Sequence, residues 1–366
     1  MTGPTVPDDL QDITPLWLTR ALSSSREPEG AFVTGYTVEP IAEGKGYMSR
    51  LYRLWLDYDG ESNNAPDSII SKLPSSDPLL KLVYKRLGQN LREVCFYREL
   101  AGHVQVQTPR CYYGEKDPAT GNTILLLEDM NYARQGDSVA GCTQEEVRAC
   151  VEQLARFQAK WWDNPRLDHL DWLPLRNDET DTYEEMYAGA WQSLLQKAGT
   201  AMPTRLQDLG DRLAPKVREI KARLSKPPIT LVHGDYRLDN CFFSTADGSQ
   251  SVVVMDWEFC GRGRGPYDVA TFVNEAYLPH ARRREEIGLL RQYHSLLEDT
   301  GVSRYSFEEC LDDYRLSMLE LFVFWIVTGG YCNYEGQREG KYLRNTLIRL
   351  DAAIADLNST ELVAMP

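Results

Sequence analysis

Tyr52, Leu54, Leu56 and Tyr58 alternate with Arg53, Trp55 and Asp57, a period of two that predicts a strand with one buried face. From Val38 to Tyr58 the pattern reads strand, tight turn, strand, with Glu43-Gly44-Lys45-Gly46-Tyr47-Met48-Ser49 as the turn. Ser68 to Pro74 is a further short strand carrying Lys72, and Thr123 to Leu127 is a strongly apolar one that ends at Glu128-Asp129-Met130. Helical spacing fills most of the rest. Thr14-Pro15 offers an N-cap and a first-turn proline, with Ile13 and Leu18 placed as a staple and Leu18, Ala21 and Leu22 on one face. Asp77-Pro78 opens another helix, and the segment LREVCFYREL puts Glu93, Phe96, Tyr97 and Leu100 on a shared face. Val147, Cys150, Leu154, Phe157 and Trp161 keep the helical period. Residues 181–225 predict two helices, the first with Tyr183, Tyr187 and Trp191 four apart, a stripe that reads as core rather than pocket. Residues 282–299 and 306–355 are helical in pattern, the latter broken at Gly329-Gly330-Tyr331-Cys332-Asn333-Tyr334.

Most of the strands thus gather in the first third and most of the helices in the remainder, an α+β pattern, and 366 residues exceed one ordinary core, so two lobes are expected. A formal charge of -14 argues against nucleic acid or an anionic membrane surface as the main partner, because little would neutralise phosphates along an extended interface. The longest apolar run, Leu321 to Val327, is too short to span a bilayer, and MTGPTVPDDL has no signal-peptide pattern. Eight cysteines without C-x-x-C spacing point to reduced thiols in a cytoplasmic protein rather than to zinc or a disulfide framework.

The chemistry concentrates between Ile229 and Asp268. An apolar run (Ile229, Leu231, Val232) leads into His233-Gly234-Asp235, with Asn240 five positions beyond the aspartate, and a second run, Val252 to Met255, delivers Asp256. Ala246-Asp247-Gly248 has turn chemistry, so the two runs are expected to pair as a hairpin and bring Asp235, Asn240 and Asp256 together. Two carboxylates and an amide suit phosphoryl transfer. Magnesium takes hard oxygen ligands from one or two side chains and leaves the others to phosphates and water, and a separate carboxylate accepts the proton of the attacking hydroxyl. D-x-x-x-x-N is the kinase catalytic-loop spacing, which makes Asp235 the base and Asn240 and Asp256 the metal ligands. A lone H-x-D could belong to a divalent-metal hydrolase, but no other histidine-rich stretch supplies ligands, which leaves that reading far behind.

HGDYRLDN, MDWE and GPYDVA, in this order, resemble the small-molecule kinases of the aminoglycoside phosphotransferase and choline kinase superfamily, and most closely the ecdysteroid-kinase-like phosphotransferases. The resemblance implies a two-lobed protein-kinase-like fold, with a small β-rich nucleotide-binding lobe over residues 1–127 and a larger helical lobe for catalysis and substrate over residues 128–366. It further implies ATP with Mg²⁺ as cofactors and a small hydroxylated molecule as phosphate acceptor. Gly44 and Gly46 would let backbone N–H groups approach the phosphates, though two glycines between strands also make an ordinary hairpin, and Ser49 stands where a third glycine is usual. Lys72 would hold the α- and β-phosphates and pair with Glu93, which lies on the core face of its helix where the rival Glu99 does not. Backbone groups of Glu128 and Met130 would meet the adenine edge, although on these residues alone an ordinary strand end reads as well. His233 and Asp268 would brace the catalytic loop, and Gln158 stands where relatives often carry histidine. A catalytically silent nucleotide-binding module of the same fold is the rival reading, and intact Lys72, Asp235, Asn240 and Asp256 speak against it.

Overall fold

The computed structural model describes residues 4–24, 32–42, 49–60, 65–244 and 251–364. Gly44 and Gly46, and the Ala246-Asp247-Gly248 turn, lie outside these residues. The chain parts into two compact units, Met1–His103 with Thr108–Tyr132, and Val104–Gln107 with Ala133–Pro366.

The first unit begins with helix α1 (Pro15–Ser24), whose Thr14 hydroxyl accepts from the Trp17 N–H as the cap. Strands β1 (Val33–Ala42), β2 (Ser49–Tyr58) and β3 (Ser68–Pro74) follow, then helices α2 (Pro78–Arg86) and α3 (Gln89–Cys95), then β4 (Cys111–Lys116) and β5 (Thr123–Glu128). All five strands pair antiparallel in the order β1-β2-β3-β5-β4. Alternation does what it predicts: Tyr52, Leu54 and Leu56 face inward and pack with Ile69, Leu73, Ile124 and Leu126 against Ile13, Leu18 and Leu22 of the α1 segment. Each fully buried leucine or isoleucine contributes about 1.5–3 kcal/mol. Asp77 caps α2 through the N–H groups of Leu79 and Leu80. Beyond α3 the chain widens into one π-turn, Phe96–Leu100, closed by the Ala101 N–H on the Phe96 carbonyl. Glu93, Phe96, Tyr97 and Leu100 are all buried, as their spacing requires.

The second unit carries β6 (Arg134–Gln135), α4 (Gln144–Lys160), α5 (Thr180–Ala198), α6 (Thr204–Leu213), α7 (Val217–Leu224), β7 (Thr230–Val232), β8 (Cys241–Ser244), β9 (Ser251–Val254), β10 (Gly261–Gly263), α8 (Pro266–Ala276), α9 (Pro279–Asp299), α10 (Phe307–Gly329) and α11 (Gln337–Asp356). Helix α4 starts with a full capping box between Thr143 and Glu146. Tyr183, Tyr187 and Trp191 of α5 are core.

Two expectations need correction. Residues 181–225 form three helices rather than two, because Pro215 interrupts the second stretch in a short 3₁₀ turn, Ala214–Lys216. The runs flanking the catalytic motif do not pair with each other: β9 pairs with β8, Cys241 opposite Val254, while β7 pairs with β10, Val232 opposite Gly261. The hairpin therefore forms one strand later than expected, and Asp235 and Asp256 approach from the ends of two small sheets.

Candidate active site

Strand β7 ends at Val232, and the next residues turn sharply. Gly234 has φ +86, and a Cβ there would lie 2.7 Å from the Phe259 carbonyl carbon, so only glycine fits this turn. The Asp268 carboxylate, at the start of α8, receives the N–H groups of His233 (2.8 Å) and Gly234 (2.9 Å) and the Gln158 amide from α4 (2.9 Å). His233 spans the loop: its Nδ1 accepts from the Asp235 N–H (3.2 Å), so Nε2 carries the proton and donates to the Met255 carbonyl (3.0 Å). Burial depresses the His233 pKa, which agrees with a neutral ring held as a strut. Gln158 thus stands among these braces, with its own carbonyl fixed by the Tyr293 hydroxyl at 2.5 Å.

The same bonds bring the three oxygen-bearing residues to one place. Asn240 Nδ2 donates to the Asp235 carbonyl (2.9 Å) and to its Oδ2 (3.1 Å). The Met255 N–H donates to the Asn240 carbonyl (3.0 Å), which sets the next residue, Asp256, beside the loop. Asp256 adopts left-handed backbone (φ 67, ψ 60), a conformation that is costly outside glycine and recurs at functional sites. Because the Asn240 nitrogen is committed to Asp235, its amide oxygen is left as an acceptor, and amide and carboxylate oxygens such as those of Asn240 and Asp256 are the hard donor type that could hold magnesium. Burial raises the Asp235 pKa; Arg237 opposes that shift and Asp256 adds to it.

Arg237 was not singled out from the sequence. Its Nε donates to Asp235 Oδ2 at 2.9 Å and its Nη1 to the Tyr342 hydroxyl of α11 at 3.1 Å. A cation two residues after the aspartate was a visible signal. Tyr342, more than a hundred residues onward, gave none.

Within the first unit, Lys72 Nζ lies 2.6 Å from Glu93 Oε2, and both side chains are nearly inaccessible. Ser49 opens β2 opposite Pro74, buried, with no partner for its hydroxyl among the described residues. Glu128 ends β5 with its N–H on the Arg110 carbonyl. Between Glu128 and Met130, the Asp129 carboxylate is gripped by Arg53 (2.6 and 3.2 Å) and the Ser68 hydroxyl (2.7 Å), which fixes the backbone on either side. Among the described residues, no helix is long and apolar enough to cross a membrane.

The sequence profile of the ecdysteroid kinase-like family matches residues 43–303. No curated protein sequence gives a significant match. Among solved structures, a GDP complex of a variant aminoglycoside 2'-phosphotransferase is similar at 15% identity and a TM-score of 0.54, covering 96% of this chain and 100% of that one. The GDP and kanamycin complex of APH(2")-IIia is similar at 13% identity and a TM-score of 0.52, covering 93% and 98%. The Plasmodium vivax ethanolamine kinase is similar at 12% identity and a TM-score of 0.51, covering 90% and 85%. At such identities the likeness concerns the fold, which is the two-lobed kinase-like class expected from the sequence.

Proposed function

The chain belongs to the ecdysteroid kinase-like family, and we propose that it is a small-molecule kinase that moves the γ-phosphoryl group of ATP to a hydroxyl of an organic acceptor. The observation that carries this reading is the joining of Asp235, Asn240 and the Asp256 segment by a few short hydrogen bonds. Asp235 is assigned the acceptor hydroxyl and its proton: burial strengthens it as a base, and Arg237 keeps it ionisable. Asn240 and Asp256 are assigned the metal. Magnesium, when bound, supplies positive charge against the phosphates. Lys72, countered by Glu93, is assigned the α- and β-phosphates, with Gly44, Gly46 and Ser49 as the covering turn. Glu128 and Met130 are assigned the adenine edge through their backbone. We place the nucleotide-holding lobe at residues 1–127 and the catalytic and acceptor lobe at residues 128–366. Eight free cysteines fit a reducing compartment, so we place the protein in the cytoplasm.

The test is to incubate the full chain with Mg-ATP and a panel of alcohols, from cationic ones such as ethanolamine and kanamycin to bulky apolar polyols, and to follow phosphorylated product by mass spectrometry. The expected result is one phosphorylated alcohol that disappears in Asp235→Asn. Nucleotide binding with no transfer to any member would support a silent binding module instead, and turnover of an acceptor without ATP would support a hydrolase. Either result contradicts the proposal.

A further inference from the structure

Asp235 has two carboxylate oxygens, and among the described residues only one of them is used. Arg237 Nε (2.9 Å) and Asn240 Nδ2 (3.1 Å) both donate to Oδ2, and no described residue bonds Oδ1. Two donors on a single oxygen fix the plane of the carboxylate, so Oδ1 is the atom presented outward; the side chain keeps 12% exposure. Asn240 is held within the loop itself. Arg237 is long, and a flexible side chain aims nothing unless its far end is anchored. That anchor comes from elsewhere in the chain: Nη1 donates to the Tyr342 hydroxyl at 3.1 Å and lies 3.7 Å from Asp239 Oδ2. Tyr342 is half-buried, its ring packed on Trp325 of α10 with centroids 5.5 Å apart, which holds its hydroxyl in place. One helical turn earlier on the same face, Arg338 reaches Asp239 (2.5 Å) and Asp137 (3.0 Å). Helix α11 therefore grips the catalytic loop at Arg237 and at Asp239, on both sides of Leu238.

We propose that Arg237 and Tyr342 are positioning residues: Tyr342 seats the Arg237 guanidinium, which holds Asp235 Oδ2 so that Oδ1 is aimed at the acceptor hydroxyl. The inference rests on the reading of Asp235 as the base. It makes Oδ1 the proton-accepting atom and sets the aim of the base from α11, not from the loop alone.

The experiment is a double-mutant cycle on the full chain, following release of inorganic phosphate from Mg-ATP with water as acceptor, beside nucleotide affinity by calorimetry. Tyr342→Phe removes one hydroxyl and keeps the ring, and is expected to lower kcat about tenfold with nucleotide affinity within about twofold. Arg237→Ala is expected to lower kcat roughly 100-fold. Because Tyr342 acts through Arg237, the double variant should be no slower than Arg237→Ala alone. Arg237→Lys, which keeps the charge but cannot reach both partners, should recover only part of the loss. A wild-type kcat in Tyr342→Phe, or losses that multiply in the double variant, overturns the proposal. Crystal structures of the same variants test the aim of the carboxylate independently of turnover. A carboxylate that stays in one plane with Arg237 unmoved in Tyr342→Phe contradicts the inference, and alternate Asp235 or Arg237 conformers support it. If Asp235→Asn keeps full turnover the base reading fails; if it abolishes turnover while the cycle is flat, only this inference fails.

Discussion

Gly136 offers the sharpest structural test of how the catalytic loop is held. It follows β6, and its N–H donates at 2.8 Å to the carbonyl of Cys241, which opens β8 directly after the catalytic loop. A Cβ at this position would sit 2.9 Å from the Leu238 carbonyl carbon, 3.2 Å from its Cβ and closer still to its oxygen. Carbon atoms in ordinary contact are about 3.5–4.0 Å apart. Backbone faces backbone here, so no side chain can swing aside, and either β6 or the Leu238–Asn240 turn must give by on the order of 1 Å. The Asn240 N–H on the Arg237 carbonyl (2.9 Å) and the Asn240 amide on Asp235 make that turn stiff, so the shift reaches the proposed base and metal ligands. Misplacing reacting groups by about 1 Å costs roughly 100-fold in rate. Gly136→Ala is therefore expected to lower kcat roughly 100-fold in a Mg-ATP phosphate-release assay while the chain still melts cooperatively. Gly189→Ala is the control: nothing lies within 4 Å of its added Cβ, and alanine inside α5 should stabilise by about 0.5–1 kcal/mol. If Gly136→Ala keeps kcat within about twofold of wild type, the loop is not fixed by this close approach and the reasoning fails.

Three other outcomes follow from the geometry. Lys221 and Glu320 meet at 2.7 Å with essentially no exposure, so Lys221→Met alone should lose about 3–5 kcal/mol in denaturant unfolding. The double variant Lys221→Met with Glu320→Leu should recover most of it, and a single variant as stable as wild type would contradict this. Burial pushes Glu275 up from 4.5 to about 7 against the opposing charge of Arg349, so the folded chain holds a proton that the unfolded chain releases. That contribution to stability is complete below about 4.5 and is lost as pH rises through about 7, at most about 3 kcal/mol. Glu275→Gln should flatten the fall in melting temperature between roughly pH 5 and 8, and an unchanged slope would refute the assignment. Asp129→Ala frees the backbone around Glu128 and Met130 from Arg53 and Ser68, and should raise the nucleotide KM roughly tenfold with kcat little changed; a kcat effect without a KM effect would argue against an adenine role.

The first unit was the more legible half, because an antiparallel sheet with one packed face writes itself as alternation, as at Tyr52, Leu54 and Leu56. Glu93 was legible for a related reason: a carboxylate on an apolar helical face must find a partner, and Lys72 is there at 2.6 Å. The mispaired strands show where local reading ends. β10 is Gly-Arg-Gly, which has no strand signature, and it joins β7 only because the chain returns after Asp256, so hairpin logic chose the wrong neighbour. The break between α6 and α7 was written in Pro215 and went unread. Residues acting on the loop from a distance, Tyr342 and Arg338, carry no local pattern, since the contact exists only once α11 has packed.

The central claim, that Asn240 and Asp256 hold the metal and Asp235 does chemistry beside it, is tested most directly by electron paramagnetic resonance with Mn²⁺ replacing Mg²⁺ in the presence of a non-hydrolysable ATP analogue. Wild type and Asp235→Asn are predicted to bind Mn²⁺ alike, with turnover absent in the latter, while Asn240→Ala and Asp256→Ala each lose most of the bound signal. Undiminished Mn²⁺ binding in both ligand variants, or its loss in Asp235→Asn alone, would contradict the account.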